Sequence, residues 1–360
     1  MTEFSDRYRG KRVLLTGHTG FKGSWMALWL QSLGAEVSGL ALDPASSPSH
    51  WDLLGLDGIH DRRLDVRDTA AVAAAVRAAR PDIVFHLAAQ PLVRRSYHDP
   101  VETWSTNVMG TVNVLEACRQ VQGLRAVIVV TSDKCYENRE WAWGYRENDA
   151  LGGHDPYSAS KAGAELVVSS YRSAFFQSPD APLLASARAG NVIGGGDWSE
   201  DRLIPDLVRA IASGRTLDIR SPGATRPWQH VLESLSGYLR LGQLLLEGRR
   251  EFAEAWNFGP DAEGNRSVGD VLTLLQGEWP GLQWQVTQQP QLHEATLLQV
   301  DSAKARQRLG WRSVWTLESC VKATSDWYRA YLERGEVASL EQLRAYVDAA
   351  RRAGLAWSRG

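Results

Sequence analysis

Short apolar runs alternate along this chain with longer stretches in which apolar residues recur every three or four positions. Arg12–Thr16 (RVLLT) is the first run; a glycine-rich turn follows, then Phe21, Trp25, Leu28, Trp29 and Leu33 at helical spacing. Glu36–Leu42, Arg63–Val66, Asp82–Leu87, Ala126–Thr131 and Leu183–Arg188 are further strand candidates. Helices are expected over Asp68–Ala79, Val101–Cys118 and from about Tyr157 to Phe176. Strands alternating with helices predict an α/β fold, a doubly wound Rossmann-type parallel sheet covered on both faces. Past Arg188 the alternation fades. Loops at Gly194–Asp197 and Ser221–Gly223 separate helices expected over Leu203–Ala212, Leu232–Leu246, Val268–Gln276 and Leu317–Glu333. The expected division is a dinucleotide-binding domain over 1–190 and, mainly over 191–360, a smaller mixed α/β substrate lobe. Part of 228–260 returns to the first domain. The lobe is expected above the carboxyl ends of the strands, where such sheets bind ligands.

Composition narrows the function classes. The chain has 360 residues, a formal net charge of -2, 44% hydrophobic and 23% charged residues. That balance suits a globular protein and gives no electrostatic case for nucleic acid or a membrane surface. No apolar run approaches the ~20 residues of a membrane span. The first residues, MTEFSDRYRGKR, lack the apolar core of a signal peptide. Cys118, Cys135 and Cys320 have no metal-ligand spacing, so no metal site is expected, and a sparse, odd set suits a cytoplasmic location. Of 15 tryptophans, Trp141, Trp143, Trp198 and Trp228 stand in polar segments, either packed or lining a cleft.

Two stretches carry chemistry. Gly17, Thr19, Gly20, Phe21, Lys22 and Gly23 belong to a GxxGxxG turn that follows a strand and opens a helix. Glycines there let backbone approach a pyrophosphate, and the helix N-terminus offers free N–H groups to it. Lys22 either neutralises phosphate charge or is a solvated helix lysine. Asp43, 20 residues beyond Gly23, is placed to accept from an adenosine ribose, which favours NAD over NADP. Asp65 and Val66 either bracket an adenine or form a plain turn. The second stretch is TSDKCYEN, Thr131–Asn138, at the end of the fifth strand. It places Ser132, Asp133 and Lys134 together. Tyr157 and Lys161 form a YxxxK step on one helical face. The lysine is expected to lower the tyrosine pKa, and the phenolate then takes a proton from a sugar hydroxyl as its hydride leaves.

The motifs TGHTGFKG, DVRD, HLAAQ, TNVMGTVNVLEA, TSDK, PYSASK and ARAGNVIGGGDW span nearly the whole chain. Together they resemble extended short-chain dehydrogenase/reductases of the nucleotide-sugar type. HTGFKGSW, TSDKCYEN, WGYRE and GGGDW resemble the CDP-glucose 4,6-dehydratase branch of that family. The resemblance implies tightly held NAD and a nucleotide-sugar substrate, CDP-glucose. Leu87, Ala88, Ala89 and Asn107 are implied at the cofactor. Asn191, Arg202, Arg220 and Arg226 are implied at the substrate; Gln90 and Arg94, after the fourth strand, are placed to approach the sugar, and Arg188 and Arg266 are either further diphosphate candidates or surface arginines. The resemblance further implies a homodimer, in some members a tetramer, built by pairing the helices that carry Val108, Val112, Leu115, Leu166, Val167 and Val168. Products of such enzymes feed 3,6-dideoxyhexose synthesis for surface polysaccharides.

A dehydratase needs an acid for the leaving hydroxyl of carbon 6 and a base for carbon 5. Asp133 and Lys134 are placed for these. The commonest sugar dehydratases have glutamate where this chain has Lys134. The lysine therefore either acts as a neutral amine with a lowered pKa or stays charged and stabilises an enolate. A 4-epimerase has no use for the Asp-Lys pair, and a non-catalytic dinucleotide sensor has no use for Ser132, Tyr157 and Lys161 together.

Overall fold

The computed structural model describes residues 3–287 and 296–359. In chain order the strands are β1 (Arg12–Thr16), β2 (Glu36–Ala41), β3 (His60–Arg63), β4 (Ile83–His86), β5 (Ala126–Val130), β6 (Leu183–Ala189), the short β7 (Val192–Ile193), β8 (Leu217–Ile219), β9 (Thr225–Pro227) and β10 (Gln229–His230), then β11 (Ala255–Phe258), β12 (Asn265–Ser267) and β13 (Trp284–Val286). Among the described residues, seven form one sheet in the order β11-β6-β5-β4-β1-β2-β3. All its pairings are parallel. The remaining short strands pair two by two. Every residue of β4, β5 and β6 is buried, as expected of strands covered on both faces.

The helices are α1 (Phe21–Ser32), α2 (His50–Leu54), α3 (Thr69–Ala79), α4 (Val93–His98), α5 (Pro100–Trp104), α6 (Gly110–Arg119), α7 (Pro156–Ala174), α8 (Leu203–Ala212), α9 (Val231–Leu246), α10 (Val268–Glu278), α11 (Leu317–Arg334) and α12 (Ser339–Arg352). On one sheet face, Val72, Val76, Val114, Leu115 and Val168 from α3, α6 and α7 pack together. On the other, Trp25, Trp29, Leu235 and Leu239 from α1 and α9 join a cluster that continues into α8, α10, α11 and α12. The Trp357 ring stacks on Phe4, with centroids 5.1 Å apart, and so fastens the end of the chain to its beginning.

Three expectations shift. The third strand is His60–Arg63, not Arg63–Val66. It is an exposed edge strand without apolar residues, so the apolar pair Leu64 and Val66 drew the reading past its end. The helix over Val101–Cys118 is α5 and α6 joined by a π-helical turn at Ser105–Met109. Leu115 and Val168, assigned above to a dimer face, are fully buried against the sheet instead. The reading also omitted α12, although Leu343, Tyr346, Val347 and Ala350 recur at helical spacing and are buried.

β1 lies between β2 and β4, so the chain winds away from it in both directions. That switch opens a crevice at the carboxyl ends of β1 and β4. The site is built around it.

Candidate active site

The crevice begins with the turn after β1. Gly17 has φ +75°, and a Cβ there would lie 2.7 Å from the backbone nitrogen of Ala88. A Cβ on Gly23 would lie 2.0 Å from the Gly17 carbonyl oxygen. Both positions are closed to a side chain, and the first turn of α1 packs tightly on the strand. A dinucleotide pyrophosphate fits this cradle, at a helix N-terminus uncapped by any side chain. Thr16 Oγ1 accepts from the amides of Leu87 and Ala88, each at 3.1 Å, and bonds His86 Nδ1 at 2.7 Å, tying the ends of β1 and β4. Thr19 Oγ1 donates to the Leu42 carbonyl, and Asp43 stands fully in solvent after β2, 3.6 Å from Arg63. Asp65 is engaged by Arg67, while Val66 is buried and its carbonyl accepts from Asn113. Ala89 is half-buried beside Gln90.

Lys22 turns inward. Its Nζ donates to the Tyr238 hydroxyl at 3.4 Å, and it is coupled electrostatically to Asp133, Lys161 and Arg202. Burial, then the nearby Arg202, lowers its pKa to about 7. Of the two readings of Lys22, the solvated helix lysine does not match this inward direction.

The catalytic strip is the turn that ends β5. Ser132 is extended, and its Oγ accepts from the Lys134 amide at 3.2 Å and donates to Asp133 Oδ1 at 2.9 Å. Asp133 is 1% exposed, and its Oδ2 has no hydrogen-bond partner among the described residues. Burial raises the Asp133 pKa; Lys134, the Ser132 hydrogen bond, Arg226 and Lys22 oppose that. Lys134 is only half-buried, so it is less desolvated than the carboxyl beside it. Tyr136 packs beneath, stacked on Tyr145 and donating to Asn257.

Asp155 caps α7 by accepting from the Ser158 amide, and Pro156 fills the first turn, so Tyr157 enters the site at the helix start. The Tyr157 phenol sits beside Ser132. Burial pushes its pKa up to about 12, although Ser132 works against this. The expected lowering by Lys161 is not what governs the phenol, and burial lowers the pKa of Lys161 itself to about 8. Asn107, in the π-helical turn, donates to Ser160 and to the Gln90 carbonyl and accepts from the Gln90 amide. It thereby joins the end of β4 to α7.

The substrate candidates divide. Gln90 is buried and turned into its own loop, bonded to Thr103 and Leu92. Arg226 is buried beside Asp133, and Arg202 pairs with Asp197 at 3.0 Å. Arg94 and Arg220 both reach Asp201, at 2.8 and 3.6 Å, across the opening. Asn191 lies at the start of the loop, its carbonyl accepting from the Gln229 amide. Arg188 is not available to a phosphate: it is buried in an ion pair with Glu165 at 2.7 Å and also donates to Tyr136. Arg266 donates to the Glu263 carbonyl on the surface. Glu165, which also holds Thr131 and Ser186, escaped the sequence reading, as did Asp197, Asp201 and Tyr238. The Asp155-Pro156 pair was the one readable signal among such supports.

Residues 13–255 match the NAD dependent epimerase/dehydratase family. The chain belongs to that family. It is 46% identical over 354 residues to a CDP-glucose 4,6-dehydratase of Salmonella typhimurium, covering 96% of this chain and 98% of the relative. An epimerase from Methanothermobacter thermautotrophicus shares the architecture with a TM-score of 0.81 and 25% identity, over 92% of this chain and 96% of that one. The protein MoeE5, solved with UDP-glucose and NAD, gives a TM-score of 0.74 and 26% identity over 89% of this chain and 99% of its own. The dependence on NAD named for the family agrees with the fit of the glycine cradle. No described helix is long and apolar enough to cross a membrane.

Proposed function

We propose that the protein is a hydro-lyase that converts CDP-glucose to CDP-4-keto-6-deoxyglucose and water. The observation that carries the reading is the buried Asp133 beside Lys134, directly after Ser132 and facing Tyr157. Epimerisation at carbon 4 needs neither group. The choice of CDP-glucose rests on the Salmonella relative and the length of the match. NAD bound in the glycine cradle would supply the hydride acceptor and donor that the oxidation at carbon 4 and the reduction at carbon 6 require. Gly17, Thr19, Gly20, Phe21, Lys22, Gly23, Asp43, Asp65, Val66, Leu87, Ala88, Ala89, Asn107, Tyr157 and Lys161 are the residues we assign to hold it.

Tyr157 takes the proton of the carbon 4 hydroxyl, and Ser132 orients that hydroxyl. The resulting ketone acidifies carbon 5, whose proton Lys134 removes. Asp133 protonates the departing carbon 6 hydroxyl. Its burial favours the acid form that this requires. Arg94, Arg202, Arg220 and Arg226, with Asn191, surround the place we assign to the diphosphate, which arginine forks bind in bidentate fashion. Gln90 acts through its loop. We further propose the division into 1–190 and 191–360 described above, a cytoplasmic location, and a homodimer or tetramer. The exposed apolar residues Val101, Trp104, Met109 and Leu166 on α5, the π-helical turn and α7, with Phe175 just past the end of α7, support an interface.

Incubation with CDP-glucose and other nucleotide sugars, read by mass spectrometry, tests the activity. Loss of one water from CDP-glucose is the expected result. An isobaric product would replace this reading with a 4-epimerase.

A further inference from the structure

The turn that carries Ser132, Asp133 and Lys134 is held at both ends. Before it, the Thr131 hydroxyl donates to Glu165 Oε1. After it, the Tyr136 hydroxyl accepts from Arg188 Nη1 at 2.7 Å. Glu165 and Arg188 are themselves paired at 2.7 Å, so one ion pair grips both flanks of the turn. All four residues are buried. On α7, Tyr157, Lys161 and Glu165 follow one another at four-residue steps and share a helical face. The ion pair therefore fixes the turn against the helix that supplies the other half of the site.

The hydrogen-bond directions at Tyr136 are fixed. A guanidinium only donates, so the phenol oxygen accepts from Arg188 and gives its one hydrogen to Asn257 Oδ1 at 2.7 Å. Asn257 Nδ2 donates to the carbonyls of Tyr145 and Asp301, at 2.8 and 3.2 Å, which sets the way its amide faces. The Tyr136 ring lies on the Tyr145 ring, with centroids 5.1 Å apart. Burial raises the Tyr136 pKa, so the phenol keeps its hydrogen. The run from Glu165 through Arg188 and Tyr136 to Asn257 thus ties α7, β6 and β11 to the far end of the turn. The two anchors bear on different residues. Thr131 adjoins Ser132, which serves the hydride step. Tyr136 stands just beyond Lys134, to which the carbon 5 proton is assigned.

Resting on the dehydratase reading above, we propose that Tyr136 is a positioning residue for the elimination half of the reaction. It holds Asp133 and Lys134 in place, while Thr131 holds Ser132 for the hydride half. Loosening the Tyr136 anchor leaves the oxidation at carbon 4 intact. It slows removal of the carbon 5 proton and loss of the carbon 6 hydroxyl. The sugar then waits as the 4-ketone with its carbon 6 hydroxyl in place, and the cofactor waits reduced.

Tyr136→Phe keeps the stacked ring and removes the hydroxyl. In the NAD-loaded variant given CDP-glucose, water loss should slow about 10²-fold, the scale of a catalytic group displaced by about 1 Å. Reduced nicotinamide, read by its absorbance, should build up in step. In the free variant, hydrogen exchange at the Lys134 and Cys135 amides should quicken about tenfold, the scale of one lost charged hydrogen bond. Thr131→Val should instead slow the formation of reduced nicotinamide, without build-up. The proposal is overturned if Tyr136→Phe leaves water loss unchanged or slows it with no build-up. Unchanged exchange at both amides, or an equal build-up in Thr131→Val, overturns it too. If Tyr136→Phe does not fold, Asn257→Ser, which removes the acceptor of the phenol hydrogen, takes its place with the same outcomes. No loss of water by the unaltered protein with any nucleotide sugar would instead reject the parent reading, and the amide exchange, which needs no substrate, would still read the anchor.

Discussion

The catalytic strip and the arginine rim face each other across one cleft but are held by different physics. Ser132, Asp133, Tyr157 and Lys161 are buried, and the supports below them are buried too: Glu165 holds Arg188, Thr131 and Ser186. On the rim, Arg94 and Arg220 share Asp201 with side chains a quarter to two-fifths exposed. A buried pair that loses one partner leaves an uncompensated charge, whereas an exposed pair exchanges its carboxylate for water or phosphate at little cost. Groups that move protons are fixed in place, and groups that admit a diphosphate are left able to change partners.

The largest expected effect tests the strip directly. Tyr157→Phe should lower turnover by about 10²- to 10⁴-fold, with thermal melting unchanged; a loss under tenfold would show that the phenol is not the base. Next, Glu165→Ala should destabilise the fold by about 3–5 kcal/mol by stranding Arg188, measured in urea. A loss of less than about 1 kcal/mol would erase the contrast with the rim.

Acid offers a third way to separate the regions. Burial lowers the pKa of His50, His86 and His230 to about 3 each. Their stabilisation is complete above about pH 6.5 and is lost as pH falls toward 3, at about 1.4 kcal/mol per unit for each. Burial raises Glu233 to about 7, so its contribution is complete below about pH 4.5 and is lost as pH rises through 7. It offsets about one histidine over the interval between. The net expectation is a loss of about 3 kcal/mol per unit as pH falls from about 6.5 to about 4.5. Melting temperatures that stay level from pH 7 to 5 would refute this.

On the rim the effects should be smaller. Arg220→Ala is expected to raise KM for CDP-glucose about tenfold, the scale of one charged hydrogen bond, with kcat nearly unchanged. Asp201→Asn should alter stability by under about 1 kcal/mol and leave KM level or slightly lower. A large fall in kcat from either would place the rim inside the chemistry.

Much of the sheet was legible because β1, β5 and β6 are short apolar blocks and the helices between them keep a helical period. β3 was not, since an exposed edge strand carries no apolar alternation. The glycine turn and YxxxK were readable because their spacing is local and their geometry needs those residue types. Glu165 and Arg188, 23 positions apart, carried no such signal, and Arg188 read as a phosphate candidate until its partner appeared.

The sequence by itself determined the winding of the sheet, the glycine cradle and the presence of serine, acid and lysine at the end of one strand. These follow from backbone stereochemistry and from periods of two and 3.6 residues, which act over a few positions. The tertiary structure alone decided which charges are buried and which way Lys22 points. It alone brought Tyr157 beside Ser132 and Asp133. Desolvation and hydrogen-bond direction depend on what distant segments bring to within a few ångströms, and no local pattern records that.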